Sequence, residues 1–95
     1  MTRVWQVVWS YRADKDLRAL PEHIYLKFRA WVMAVEAAGM EEVRRLPGFH
    51  DEPLRGARKG QRSVRLNRSY RVIYVETVAG HVHVARVIEV HKHAY

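Results

Sequence analysis

Seven basic side chains, Arg55, Arg58, Lys59, Arg62, Arg65, Arg68 and Arg71, crowd one short stretch of this 95-residue chain, and Glu52 stands just ahead of them. A guanidinium presents a planar fork of donors that matches two non-bridging phosphate oxygens, and it keeps its charge at neutral pH. Downstream lie His81-Val82-His83 and His91-Lys92-His93, imidazoles that titrate where proton transfer is useful. Two histidines at i and i+2 on a strand can share a metal. Zinc sites, however, take three or four ligands with outer acceptors behind them, and the two pairs stand ten residues apart. His81 and His83 read more simply as the exposed start of a strand, and no metal site is assigned. Cysteine is absent, which removes disulfide scaffolds, thiolate metal sites and cysteine nucleophiles together. No Ser/His/Asp order in the N-terminal half suggests a hydrolytic triad, and Lys59-Gly60 lacks the upstream glycines of a nucleotide-binding loop.

The charge is placed as unevenly as the arginines. Lys and Arg outnumber Asp and Glu by 17 to 10, a net +7. Residues 1–52 hold eight basic and eight acidic side chains, whereas residues 53–95 hold nine basic and two acidic, Glu76 and Glu89. The whole excess therefore belongs to the C-terminal part. A phosphate-rich partner is the default inference, because clustered Lys and Arg gain affinity by releasing condensed counterions. No stretch approaches the roughly 20 apolar residues of a membrane helix. The opening Met-Thr-Arg-Val-Trp-Gln lacks the apolar run of a signal peptide. With 48% hydrophobic residues the chain reads as a single globular domain over 1–95, expected in the cytoplasm and without membrane contact.

The elements that must position these groups change period midway. Thr2–Trp9, rich in Val and Trp, reads as a strand. Leu17 and Leu20 predict a helix over Asp14–Leu20, stopped by Pro21. Ile24, Phe28, Trp31, Val32 and Val35 form one stripe of a second helix, capped at Gly39, and Met40–Leu46 adds one or two further turns. Arg62–Leu66, Tyr70–Glu76 and Val82–Val90 are β-branched runs separated by Asn67–Ser69 and Ala79–Gly80, an antiparallel meander. The expected architecture is α+β in the order β-α-α-β-β-β, with the helices on one face of a four-stranded, antiparallel-rich twisted sheet and the N-terminal strand at its edge. Trp5, Trp9 and Trp31 fall on apolar faces and read as core. Helices covering one face leave the arginines the other face and the loops; Ser63 and Arg65 share a face opposite Val64 and Leu66.

Three segments together carry a family resemblance: Asp51-Glu52-Pro53-Leu54-Arg55-Gly56; Lys59-Gly60-Gln61-Arg62-Ser63-Val64-Arg65-Leu66; and Tyr70-Arg71-Val72-Ile73-Tyr74. The terminal His91-Lys92-His93-Ala94-Tyr95 continues the match. In this order and spacing they resemble the RelE/ParE superfamily of toxins from type II toxin–antitoxin pairs. The site is most similar to that of the YoeB and YafQ mRNA interferases.

That resemblance implies a ribosome-dependent endoribonuclease that cleaves mRNA without metal or other cofactor. The 2′-OH is the nucleophile, and the products are a 2′,3′-cyclic phosphate and a 5′-OH. By resemblance Arg71 and Arg65 steady the phosphate, His93 is the general acid, Glu52 the general base, and Tyr95 orients the substrate. Ala94 separates His93 from Tyr95, a one-residue departure from YoeB. Glu52 has a second reading, as a loop carboxylate paired with Arg55 or Arg58, because nearby guanidinium groups weaken a carboxylate as a base. Arg55, Arg58, Lys59, Arg62 and Arg68 are expected to grip RNA, with solvent-facing charge an equal reading for Arg62 and Arg68.

The implied partners are mRNA on the ribosome, including rRNA contacts, and a cognate antitoxin that covers the basic surface. Operator DNA is met only indirectly, through the antitoxin complex. Two rivals keep the same residues: a ParE-like inhibitor of DNA gyrase, and a non-catalytic RNA- or ribosome-binding module.

Overall fold

The computed structural model describes residues 4–92. Strand β1, Val4–Trp9, leads directly into helix α1, Tyr11–Arg18. Ser10 makes that junction: its Oγ accepts from the Ala13 amide at 3.1 Å, closing the first turn, and donates to the Ile88 carbonyl at 3.2 Å. The helix therefore begins at Tyr11, ahead of the Asp14 that apolar spacing indicates. It ends at Arg18, short of Leu20, since Ala19 and Leu20 only close the last turn before Pro21. Helix α2, Glu22–Ala38, starts on the Pro21 carbonyl, which accepts from Ile24 and Tyr25 at 3.0 Å. Gly39 ends it at φ +86, and a Cβ there would sit 3.2 Å from Trp5 Nε1. Both backbone conformation and space thus require glycine. The short α3, Met40–Arg44, follows, making three α-helices among the described residues where two and some extra turns were expected.

The sheet has five strands in the order β1-β5-β4-β3-β2, with β2 Glu52–Pro53, β3 Arg62–Arg65, β4 Tyr70–Ala79 and β5 Val82–Lys92. Four strands were expected. The fifth is the two-residue β2, with Glu52 opposite Ser63 and Pro53 opposite Arg62. A pair of residues has no period to read, and proline fits only because β2 is an edge. The N-terminal strand does take the other edge, and it runs parallel to β5 because helices intervene before the chain re-enters the sheet. Its outer edge is partly closed by Glu36, whose carboxylate accepts from the Val7 amide at 3.1 Å. Where β1 stops, α1 continues along β5: Asp16 accepts from the Val90 amide at 3.0 Å.

One face of the sheet meets α2. Phe28, Trp31 and Val35 pack against Val64, Val72, Tyr74, Ala85, Val87 and Val90 in a single apolar cluster. Ring contacts at 5.5 Å (Trp9–Phe28), 6.1 Å (Phe28–Trp31) and 5.4 Å (Trp31–Tyr74) run through it. Trp31 is fully buried, whereas Trp5 and Trp9 only flank the core. Truncating a buried aromatic of this kind costs about 3–5 kcal/mol. The register puts two cross-strand rows of β2–β5 on the opposite face. One is Glu52–Ser63–Ile73–Glu89; the other is Arg65–Arg71–His91. Among the described residues no helix is long and apolar enough to cross a membrane.

Candidate active site

Part of these rows, Glu52, Ser63, Ile73, Arg71 and His91, walls a shallow cavity of about 210 Å³ together with Leu54. Arg71 is its centre. From β4 its Nη1 donates to Ser63 Oγ at 2.9 Å on β3 and reaches Glu52 Oε1 at 3.3 Å on β2. Its side chain is only 12% exposed and Glu52 is 46% exposed, so the pair joins a fixed cation to a carboxylate that water still reaches. His50 adds its Nε2 at 3.7 Å from the other Glu52 oxygen. Glu52 therefore pairs with Arg71 and His50, not with Arg55 or Arg58.

Arg65 stands directly across from Arg71, and its Nε is buried with no hydrogen-bond partner among the described residues. Like charges placed directly opposite on neighbouring strands destabilise a sheet. A buried donor without an acceptor adds the cost of its lost hydration. An anion bound across this row would relieve both. His91 extends the row on β5, close enough to share the cavity. Arg71 can thus hold non-bridging phosphate oxygens in a fork, with an imidazole from His91 and a carboxylate from Glu52 beside it as proton-handling groups.

The other expected residues are dispersed. Arg55 and Lys59 are exposed on the loop between β2 and β3, and Arg68 is exposed in the β3–β4 turn. That turn is closed by Asn67, whose Oδ1 accepts from the Ser69 and Tyr70 amides at 2.8 Å. Arg58 reaches across to Glu89 and donates to Gln61 at 2.9 Å. Arg12 also pairs with Glu89 at 3.3 Å, so Glu89 ties α1 to the basic loop.

Arg62 projects toward the helix side, where its Nε donates to Asp51 at 2.7 Å. Burial alone would lower the Arg62 pKa, but the hydrogen bond and charge of Asp51 outweigh it and raise the pKa above the ordinary guanidinium value. His93 and Tyr95 lie outside the described residues. His83 is half-buried, its ring stacked 4.8 Å from Trp5, which departs from an exposed strand start. Among the described residues no group of three His, Cys, Asp or Glu is arranged to hold a metal.

Two side chains of the cavity escaped sequence reasoning as site residues. Ser63 is a small polar residue whose partner is visible only once β3 and β4 are in register. His91 carried the same motif as His93, and only the strand register separates them. Larger clefts of about 470 Å³ and 450 Å³ lie elsewhere. The first is lined by Glu36, Glu41 and Glu42, and the second holds Asp14 and Glu22, with Arg18 paired to Asp14 at 2.9 Å. Neither offers an unopposed cation to a phosphate.

No protein-family model matches the chain, and a search of curated proteins finds no match. Solved structures do match it along almost its whole length. A YoeB/ParE toxin from Agrobacterium tumefaciens is 20% identical with a TM-score of 0.69, over 94% of this chain and 99% of that one. YafQ from E. coli strain BL21(DE3) is 15% identical with a TM-score of 0.70, over 92% and 91%. The archaeal RelE–RelB complex from Pyrococcus horikoshii OT3 gives 25% identity and a TM-score of 0.69, over 94% of each chain. Coverage of almost the whole chain at TM-scores of 0.69–0.70 gives this chain the RelE/ParE toxin fold, in the form it takes in the YoeB, YafQ and RelE structures.

Proposed function

We propose that this protein is the toxin of a type II toxin–antitoxin pair and that it acts as a ribosome-dependent, metal-free endoribonuclease on mRNA. The observation that carries this reading is a cavity holding Arg71, His91 and Glu52, with Glu52 hydrogen-bonded to Arg71 and Arg65 standing across from Arg71 on the neighbouring strand. In the proposed reaction the 2′-oxygen attacks the adjacent phosphorus as Glu52 takes the 2′-OH proton. The bond from phosphorus to the 5′-oxygen breaks, and a histidine protonates that leaving oxygen, giving a 2′,3′-cyclic phosphate and a 5′-OH. Arg71 and Arg65 offset the charge that builds on the phosphate. His93 is the acid expected from the resemblance; His91, which lines the cavity, is the second candidate, and comparing His91→Ala with His93→Ala assigns the step.

An antitoxin partner fits both the charge and the neighbours. Solved structures of this fold include RelB, DinJ and YefM complexes. A segment of acidic chain would meet the basic strand half at an electrostatically steered rate.

Induction of the wild-type chain followed by mapping of mRNA ends tests the activity. Cleavage within coding regions is expected. Arg71→Ala is expected to lower cleavage at least 100-fold, within the range one transition-state electrostatic contact supplies. Arrest of DNA replication with intact mRNA would instead favour a gyrase inhibitor. Ribosome binding without new mRNA ends would favour a non-catalytic module.

A further inference from the structure

We infer that Asp51 is the positioning residue of this site: through a buried anchor to Arg62 and Tyr74 it fixes the neighbouring Glu52 against Arg71. The inference rests on the nuclease reading for its functional consequence and on the structure alone for the anchor. The Asp51 side chain is 1% exposed, and its carboxylate accepts from Arg62 Nε at 2.7 Å and from the Tyr74 hydroxyl. Arg44 of α3 approaches at 3.8 Å and is itself paired with Glu76. Tyr74 is fully buried against Trp31, so the anchor is set into the main core.

Glu52 needs such an anchor. Its strand is two residues long, is paired only with β3, and begins after His50 at φ +47, a left-handed conformation disfavoured for a residue with a Cβ. Beyond it the next tie to β3 is the Leu54 amide on the Gln61 carbonyl at 2.9 Å. Successive residues of an extended segment point to opposite faces. Asp51 therefore reaches into the helix side while Glu52 presents its carboxylate to Arg71 on the other. Displacement of a proton-handling group by about 1 Å is enough to cost some 100-fold in rate.

The test uses the full chain with Asp51→Ala and the isosteric Asp51→Asn, read in two ways. Amide hydrogen exchange at Leu54 is expected to speed up at least 5-fold in Asp51→Ala, with Val72 unchanged. In cleavage of mRNA on programmed ribosomes, kcat is expected to fall at least 10-fold while KM changes less than 2-fold. In a Glu52→Gln background Asp51→Ala is expected to cause no further loss, because a residue acting through Glu52 has nothing left to position.

An equal additional loss in that background would overturn the inference, and so would unchanged exchange at Leu54. Should Asp51→Ala not fold, Asp51→Asn and Tyr74→Phe carry the same comparison. Wild-type protein that cleaves no mRNA on ribosomes counts against the nuclease reading, and exchange at Leu54 then decides the anchor by itself.

Discussion

A phenol that is fully buried yet bonded to a carboxylate, as Tyr74 is to Asp51, titrates late. Burial disfavours the phenolate, and the hydrogen bond and charge of Asp51 act in the same direction, against a smaller lowering by Arg44. The folded-state pKa is thus raised well above the ordinary phenol value of about 10. The stability tied to this proton is complete below pH about 10, and it is lost as the pH rises toward the folded value, because only the unfolded chain releases the proton in that window. Urea unfolding of the wild type between pH 9 and 11.5 is expected to weaken more steeply than that of Tyr74→Phe, by up to about 1.4 kcal/mol per pH unit. Parallel curves would count against the buried pair. At neutral pH Tyr74→Phe is expected to cost about 1–2 kcal/mol, since it leaves a buried Asp51 oxygen without its donor. At this scale the sequence named candidates better than contacts. Arg71 and Glu52 stand out in the sequence as a guanidinium and a carboxylate within the matched motif, and the fold brings them to 3.3 Å of each other. Arg62, an equally plausible grip for RNA, turned out to face the helix side, because one residue of strand alternation decides the face and the strand's register is not written in residue type.

Elements were legible in proportion to their length. Helix α2 follows from its five-residue apolar stripe, and β3 to β5 from β-branched runs and the turns between them. Two of the elements missed or misplaced, β2 and the start of α1, depend on single side chains: β2 on pairing across to Ser63, and α1 on the Ser10 cap. Periodicity cannot report either, because a cap and a two-residue bridge contain no period. Ser10 therefore makes a sharp test of the α1 junction, which joins the parallel edge strand to the helix that continues along β5. Ser10→Ala removes both the bond to the Ala13 amide and the bond to the Ile88 carbonyl. A loss of about 1–2 kcal/mol is expected, a drop of roughly 4–8 °C in Tm for each kcal/mol in a chain of this size. Ser10→Asp is expected to recover part of it, restoring an acceptor for the helix but not a donor for Ile88. Equal melting of Ser10→Ala and the wild type would show that α1 is held by packing alone.

Across the whole molecule, the +7 excess and its confinement to residues 53–95 were available from counting. What counting could not supply is which of those charges are already spent within the protein. Arg58 is paired with Glu89 and Arg62 with Asp51, whereas Arg55, Lys59, Arg65 and Arg68 form no ion pair among the described residues. Arg71 is held by Glu52 yet faces the cavity. A cation already neutralised by a buried carboxylate releases few counterions when RNA arrives, so the salt dependence of binding should follow the second group. If Arg55, Lys59, Arg65, Arg68 and Arg71 each meet one phosphate, log Kd for a single-stranded RNA should rise with log salt at a slope of about 3.5. Anisotropy titrations from 50 to 300 mM KCl would measure it. Arg68→Ala is expected to lower the slope by about 0.7, and Arg58→Ala to leave it within about 0.2, although both remove one formal charge. Equal reductions in the two variants would mean that net charge alone governs binding, and the division of the basic half into paired and available cations would fall with it.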